Sequence, residues 1–334
     1  MTVKFLKAGS GDSILVEHQG TNILIDGGNE SSFLLQQAGI IHQRGELIDL
    51  LIITHHDDDH IKGIITLLQE TLQQVYGAGF IRRVMFNSPQ TVKRTIESTT
   101  SSTLLSYKQA RQVENLLTLL NISPETCTES TGPYQPGNGL SLHFLSPRTE
   151  DIVEYANDPG ALLTTDYRCD WAQSLQILET YLNDKSQDRS LFNKSSIILL
   201  LECEGKRILL TGDATPDRLN AALDKLMEEN EGNIPFFDLV KLPHHGSYRS
   251  LNTAILGKIN CRQFLISTDS KRYFLPNKRA ILKILKYIKR DGAESIKFLF
   301  NYPDPNKNLQ IKDREFTKYR FSLIPNNENY GYRF

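Results

Sequence analysis

The stretch Asp49-Leu50-Leu51-Ile52-Ile53-Thr54-His55-His56-Asp57-Asp58-Asp59-His60-Ile61-Lys62-Gly63 decides how the rest of the chain is read. Leu50 to Ile53 is an apolar run with two β-branched residues, the pattern of a fully buried strand. It stops at six consecutive imidazole or carboxylate side chains, His55 to His60, behind which Ile61, Ile64, Ile65, Leu67 and Leu68 begin a helical stripe. Such a cluster at the carboxyl end of a buried strand repels itself and is costly to desolvate unless a cation neutralises it. Imidazole nitrogen with carboxylate oxygen suits Zn²⁺, Mn²⁺ or Fe²⁺ better than Ca²⁺, which prefers oxygen alone. The competing reading is a solvated acidic loop that caps the following helix, because Asp favours helix N-termini. Three histidines in so short a turn argue for the metal.

Outward from this stretch, strand-like segments precede it at Val3 to Ala8, Ser13 to His18 and Asn22 to Asp26, linked by Gly-rich turns. Ser31 to Ala38 reads as a weak helix, His60 to Gln74 as an amphipathic one and Ile81 to Phe86 as a strand. From Ser88 to about Arg189 the texture becomes polar and acidic. It opens on the run Ser98 to Thr103, followed by a predicted helix Leu104 to Leu120, turns around Gly132 to Gly139, a strand Leu140 to Leu145 and a helix Trp171 to Leu182. This segment is read as an insertion elaborating the main fold. Regular pattern returns with strands Ser195 to Glu202 and Arg207 to Thr211, a helix Thr215 to Met227 with Pro216 in its first turn, and strands Asp238 to Leu242 and Phe264 to Ser267. A helix Pro276 to Arg290, stopped at Asp291-Gly292, and strands Ile296 to Phe300 and Phe316 to Ile324 complete the chain. Alternating strands and helices with antiparallel additions predict a layered α/β architecture, with residues 1–87 and 190–334 as the main domain and 88–189 as the insertion.

No apolar run approaches the ~20 residues of a membrane span, and the amino-terminal segment has no signal-peptide layout. The four cysteines, Cys127, Cys169, Cys203 and Cys261, are widely separated and form no Cys-x-x-Cys pair, as expected of thiols in a reducing, cytoplasmic compartment. A net charge of −1 hides an asymmetry: from Leu239 onward there are 19 Lys and Arg against 7 Asp and Glu. The carboxyl-terminal third is therefore the expected contact surface for a polyanion.

Two further strand ends share the character of the first: Asp213 follows one, and His244-His245 another. If the strands are neighbours, their carboxyl ends converge on one cleft. A cation there lowers the pKa of bound water from 15.7 towards ~7, and two cations ~3.5–4 Å apart steady both an attacking and a leaving oxygen.

Thr54-His55-x-Asp57-x-Asp59-His60, the Thr-Gly-Asp213 strand end and Pro-His244-His245-Gly-Ser together resemble the motifs of the metallo-β-lactamase superfamily, with Asp57 in place of the usual second histidine. Gly11-Asp12-Ser13, Ile25-Asp26-Gly27-Gly28 and Asn193-Lys194-Ser195-Ser196 narrow the resemblance to the soluble hydrolase domain of competence DNA-uptake (ComEC-type) proteins. It covers residues 1–87 and 190–290. The resemblance implies a four-layer αββα sandwich and a site for one or two ions, Zn²⁺ or Mn²⁺. It further implies His55 and Asp57 at one metal position, Asp59 and His60 at the other, Asp213 bridging and His244 as the last imidazole, with His245 as its alternative. Asp59 would also hold the nucleophilic water, and Asp26 would orient a ligand histidine. His56 and Asp58, alternating with these, are expected to face away. Two departures stand out. The superfamily's intermediate histidine is missing, with Asn193 or Ser195 nearby, and a Tyr-Gly-His-Pro segment is replaced by Tyr273-Phe274-Leu275-Pro276, so a functional histidine is lost.

Asp12 reads as a turn former, with a contact to the site as the alternative; His18, His42 and His143 read as ordinary histidines. Lys278, Arg279, Lys283 and Lys286, on the polar side of the helix from Pro276, are the expected phosphate contacts. The whole predicts a metal-dependent hydrolase, specifically a phosphodiesterase or nuclease acting on nucleic acid or nucleotide. Alternatives are hydrolysis of a non-phosphate ester or amide, or a non-catalytic protein that meets a protein partner through 88–189.

Overall fold

In the computed structural model, which describes residues 1–77, 79–96, 108–157, 169–183, 185–291 and 294–334, the strands build two sheets. The first holds β1 (Thr2–Leu6), β2 (Ile14–His18), β3 (Thr21–Ile25), β4 (Leu50–Ile53), β5 (Val84–Phe86) and β14 (Gly331–Arg333), in the order β14-β1-β2-β3-β4-β5. The second holds β6 (Tyr134–Gly137), β7 (Leu140–Phe144), β8 (Leu199–Cys203), β9 (Lys206–Leu210), β10 (Leu239–Lys241), β11 (Gln263–Ile266), β12 (Ile296–Phe300) and β13 (Phe321–Ile324), in the reverse of that sequence.

Alternation along each strand divides the core into layers. Leu50 and Ile52 point between the sheets with Ile23, Ile25, Leu199, Leu201, Ile208, Leu210 and Leu239. Leu51 and Ile53 point outward, onto Ile61, Ile64 and Leu68 of the helix Asp58–Leu72 and onto Val113 and Leu117 of the helix Lys108–Leu119. On the far side, Leu209, Val240, Phe264 and Phe298 pack against the helices Pro216–Glu229 and Lys278–Tyr287. The result is the expected αββα arrangement of two helix layers enclosing two sheets.

β3 runs parallel to β4, and β9 to β13 are parallel to one another, so their carboxyl ends open on the same edge. Several expected elements differ in detail. Residues 195–198 are irregular, because Ser196 turns beneath the next strand end, where its Oγ accepts the Asp213 N–H at 3.1 Å. Trp171 to Leu182 yields only the short helix Leu175–Leu178 and a 3₁₀ turn Glu179–Tyr181. Phe316 belongs to the helix Asp313–Tyr319, where it packs against Phe321 of β13. β6 and β7 make part of the 88–189 segment an edge of the second sheet. The Ser98–Thr103 run, the first four residues of the predicted helix Leu104 to Leu120 and Gly292 lie outside the described residues. Among the described residues no helix is long and apolar enough to cross a membrane.

Candidate metal centre

Four strand ends and one loop deliver the site. Asp26 follows β3, His55 to His60 follow β4, Asp213 follows β9 and His244-His245 follow β10; Asp12 comes from the loop between β1 and β2. Their approach depends on missing side chains. A Cβ on Gly63 would lie 1.9 Å from the Gly27 carbonyl oxygen, and one on Gly11 would lie 1.6 Å from that of Asp59. These contacts let Gly27 N–H donate to His60 O (2.7 Å) and Asp12 N–H donate to Asp59 O (3.2 Å), locking the ligand turn to both neighbouring loops.

Asp26 is buried and orients the histidine end of the turn. It accepts from the Thr54 backbone N–H (2.8 Å) and hydroxyl (2.6 Å), and its Oδ2 lies 2.7 Å from His60 Nδ1. Nδ1–H therefore faces Asp26, and His60 Nε2 is left to face inward. On the opposite wall His245 Nδ1–H donates to the Ser267 carbonyl (2.9 Å), which leaves its Nε2 facing inward too. The two Nε2 atoms are 3.4 Å apart. Asp213 lies 3.4 Å from each, and Asp59 Oδ2 lies 3.5 Å from His245 Nε2. One ligand atom each from Asp12, His60, Asp213 and His245 lies within 4.8 Å of the others, all four residues being buried. Oδ1 of Asp12, Oδ1 of Asp213 and Nε2 of His55 are buried without any hydrogen-bond partner. Two inward Nε2 atoms and orphaned carboxylate oxygens held this close together are the donor set that a divalent cation satisfies. The residues fit the group.

Protonation tells the same story for the cation-free chain. Burial alone would depress His60, yet Asp213 and Asp26 lift it well above its ordinary value. His245, despite its burial, is raised to about 9 by Asp213 and Asp12. Asp213, which burial would raise, is held well below the carboxylate range by His245 and His60. The carboxylates thus favour positive charge at both imidazoles. Asp57 is pushed up to about 7 by burial and then by the charges of Asp59 and Asp213. His55 is pushed well down by burial and by His60, which leaves a neutral ring available as a ligand.

A second group of donors stands beside the first. His55 Nε2 is 3.7 Å from Asp57 Oδ2, and His244 Nε2 is 3.9 Å from Asp213 Oδ2. Asp188 fixes His244 through Nδ1 (3.1 Å) and also accepts from Asn193 Nδ2 (2.7 Å). His244 and His245 both adopt left-handed backbone, with φ of 47° and 51°. That strained pair of conformations lets both rings aim Nε2 at Asp213 from different sides. The expectation of one inward histidine, with His245 as the substitute, is therefore revised: His245 joins Asp59 and His60, and His244 lies nearer the cleft. Asn193 positions His244 and faces the cleft with an unpartnered Oδ1.

Asp12 is the residue most undervalued from sequence. It is buried, pairs with the fully buried Lys241 and approaches His245 Nδ1 at 3.6 Å. Lys241 also donates to the Gly212 carbonyl (2.9 Å) and lies 3.7 Å from Asp213. A lysine inside an apolar strand was the available signal for it. Asp188, at the end of the segment read as an insertion, carried none. His56 and Asp58 face away as expected: His56 lies buried against Tyr155, 2.8 Å from its hydroxyl, and Asp58 pairs with Lys62.

The basic helix is where sequence reasoning fails. Lys278 is buried, and its Nζ donates to the carbonyls of Trp171 and Gln173. Lys283 is buried and donates to those of Tyr248 and Leu251. Arg279 stacks on Tyr248, 3.5 Å from the ring centroid, and Lys286 pairs with Glu179 at 2.8 Å. These four side chains bind the helix to its neighbours. Lys278, Arg279 and Lys283 are buried and so are not a solvated phosphate-facing stripe; only Lys286 of the four is exposed. The cleft over the metal centre is instead walled by Asp57, Asp59, Asp188, His244, Ser247 and Arg249.

Residues 6–114 match the family model described as Metallo-beta-lactamase superfamily. The match covers about a third of the chain, and the two-sheet αββα architecture is that of the metallo-β-lactamase fold. The narrower likeness also holds. The chain is 26% identical over 189 residues to ComE operon protein 3 of Bacillus subtilis (strain 168), an alignment covering 54% of this chain and 22% of that protein. It thus spans about a fifth of that relative's length. Among solved structures it is similar to Zn²⁺-bound PqqB from Methylobacterium extorquens (14% identity, TM-score 0.48, 100% of this chain and 99% of that one). It is also similar to the metallo-beta-lactamase fold protein YhfI from Bacillus subtilis (13% identity, TM-score 0.41, 100% and 98%).

Proposed function

We propose that this metallo-hydrolase fold acts as a phosphodiesterase, on nucleic acid or nucleotides, with Zn²⁺ or Mn²⁺ held at one or two positions. The observation that carries the reading is the convergence of Asp12, Asp59, His60, Asp213 and His245 with orphaned buried donors. Asp59, His60, Asp213 and His245 are the proposed holders of one position; His55, Asp57, Asp213 and His244 are those of the other. Asp57 makes the set richer in oxygen than a three-histidine site, which favours Mn²⁺ as a rival to Zn²⁺. A divalent cation in this setting supplies Lewis acidity and a nucleophile at neutral pH.

The chain's own groups supply the rest. Asp26 and the Ser267 carbonyl hold the two imidazoles in the tautomer that presents Nε2. Asp59, on the cleft wall, orients the attacking water. Ser247 and Arg249, which also line the cleft, offer donors to the non-bridging oxygens that gain charge in the transition state. The likeness to competence DNA-uptake proteins supports a phosphodiester over other bonds; the basic helix no longer does. Four free thiols suit a reducing, cytoplasmic setting.

The test is hydrolysis of single- and double-stranded DNA, RNA, cyclic nucleotides and bis(p-nitrophenyl) phosphate by Mn²⁺- or Zn²⁺-loaded protein beside Asp59→Ala. Activity on at least one phosphodiester that is lost in the variant and with chelator is expected. Equal activity in the variant, or turnover confined to carboxyl esters and amides, refutes the proposal.

A further inference from the structure

At the other end of the strands, remote from the hydrolytic centre, lies a second convergence of donors. His18 closes β2 and pairs in register with Thr21, the first residue of β3, whose other end leads to Asp26. Cys203 closes β8 and pairs with Lys206, the first residue of β9, whose other end leads to Asp213. At ~3.3 Å per residue this places them roughly 17–23 Å from the cleft. His18 Nε2 and Cys203 Sγ are 3.6 Å apart, and one carboxylate oxygen of Glu204 lies within 4.8 Å of both. The imidazole and thiol are buried and the carboxylate is exposed, so the group is open to solvent on one side.

From these donors we infer that His18, Cys203 and Glu204 form a second cation site, for a thiophilic divalent ion such as Zn²⁺ or Cd²⁺. With Zn–S near 2.3 Å and Zn–N near 2.0–2.1 Å, a tetrahedral ion separates sulfur from nitrogen by about 3.6 Å. The imidazole and thiol already stand at that spacing. His18 Nε2 also lies 3.0 Å from the Asn138 carbonyl, and Glu204 lies 3.2 Å from the Met1 amino group. An ion takes the Nε2 lone pair of the tautomer that carries the ring proton on Nδ1, in exchange for the Asn138 hydrogen bond, and competes with the amine for the carboxylate. The thiol proton leaves to solvent as the thiolate–metal bond forms. A bound ion ties the end of β2 in the first sheet to the β8–β9 hairpin of the second, and so braces the sandwich at the edge opposite the hydrolytic cleft.

The experiment is a Cd²⁺ titration of the full chain followed by thiolate-to-metal charge-transfer absorption. The hydrolytic centre has no sulfur donor, so the signal reports only a cysteine site. The band is expected to saturate at one ion per chain in the unaltered protein and in Cys169→Ser, which removes the exposed cysteine. It should vanish in Cys203→Ser. Glu204→Gln, in a solvent-exposed turn, and His18→Gln should each weaken binding tenfold or more, and they serve as the test if Cys203→Ser does not fold. A band that survives Cys203→Ser, is lost in Cys169→Ser, or never appears at saturating Cd²⁺ overturns the inference.

Discussion

Lys241→Met removes a fully buried positive side chain from the floor of the centre and leaves its length nearly unchanged. In the chain as it stands, the ammonium is fully buried, pairs with Asp12, donates to Gly212 O at 2.9 Å and lies 3.7 Å from Asp213. The substitution leaves the Asp12 carboxylate and the Gly212 carbonyl buried without that partner. Removing one member of a buried ion pair costs about 3–5 kcal/mol, because the surviving charge loses that counter-ion without regaining water; His245, 3.6 Å from Asp12, places the expected cost at the lower end. Against a total stability of roughly 5–15 kcal/mol, that is a substantial part. Urea unfolding in chelator should therefore show the variant less stable by about 3–5 kcal/mol. Asp12→Asn should be destabilising alone, and the double variant should cost less than the two singles added, with a coupling of about 1–3 kcal/mol. Saturating Mn²⁺ should return part of the loss, since a cation beside Asp213 and Asp12 restores positive charge. A cost under about 1 kcal/mol for Lys241→Met, or strict additivity with Asp12→Asn, would refute the view that this pair is a buried electrostatic unit.

Further predictions concern the same centre. Without metal, stability should fall as pH rises from about 6.5 to 9. The pKa of His245 is lifted to about 9 when folded, so its contribution is fully present below about 6.5, its ordinary value, and is lost through pH 9, roughly 3 kcal/mol in all. Asp57, raised to about 7, acts in the same direction between about pH 4 and 7, but there it is opposed by His56, lowered to about 3 by burial, and by His55, pushed well down. Metal affinity should move oppositely, strengthening about tenfold per pH unit for each proton displaced; calorimetry in buffers of different ionisation enthalpy counts those protons, and zero release near neutral pH contradicts the assignment. Asp26→Ala should weaken metal binding about 10–100-fold by freeing the His60 ring, measured by competition with a chromogenic chelator. Gly63→Ala should cost about 1–3 kcal/mol and loosen the site, because its methyl meets the Gly27 carbonyl; unchanged stability and metal content would show that this approach is not essential.

Much of this molecule is legible locally. Leu50 to Ile53 announces a buried strand, its abrupt end in imidazoles and carboxylates announces a cation, and Asp213 and His244-His245 repeat the signature at two further strand ends. Such inferences succeed because strand period, helix period and ligand chemistry are properties of near neighbours. Which of Leu50 and Ile52 or Leu51 and Ile53 faces the second sheet was not legible, since all four are apolar; the structure turns the first pair between the sheets and the second onto the helices. Asp12, Lys241 and Asp188 were not legible in the same way, since their roles arise where loops distant in sequence meet. Whether His244 or His245 points inward depended on two left-handed backbone conformations, and both rings reach Asp213. The basic helix shows the limit most clearly. Its composition suggested a face for phosphates, yet Lys278 and Lys283 end on buried carbonyl oxygens. The net charge of a segment is written in its residues, but which of those charges meet solvent is decided only when the neighbouring layers close over them.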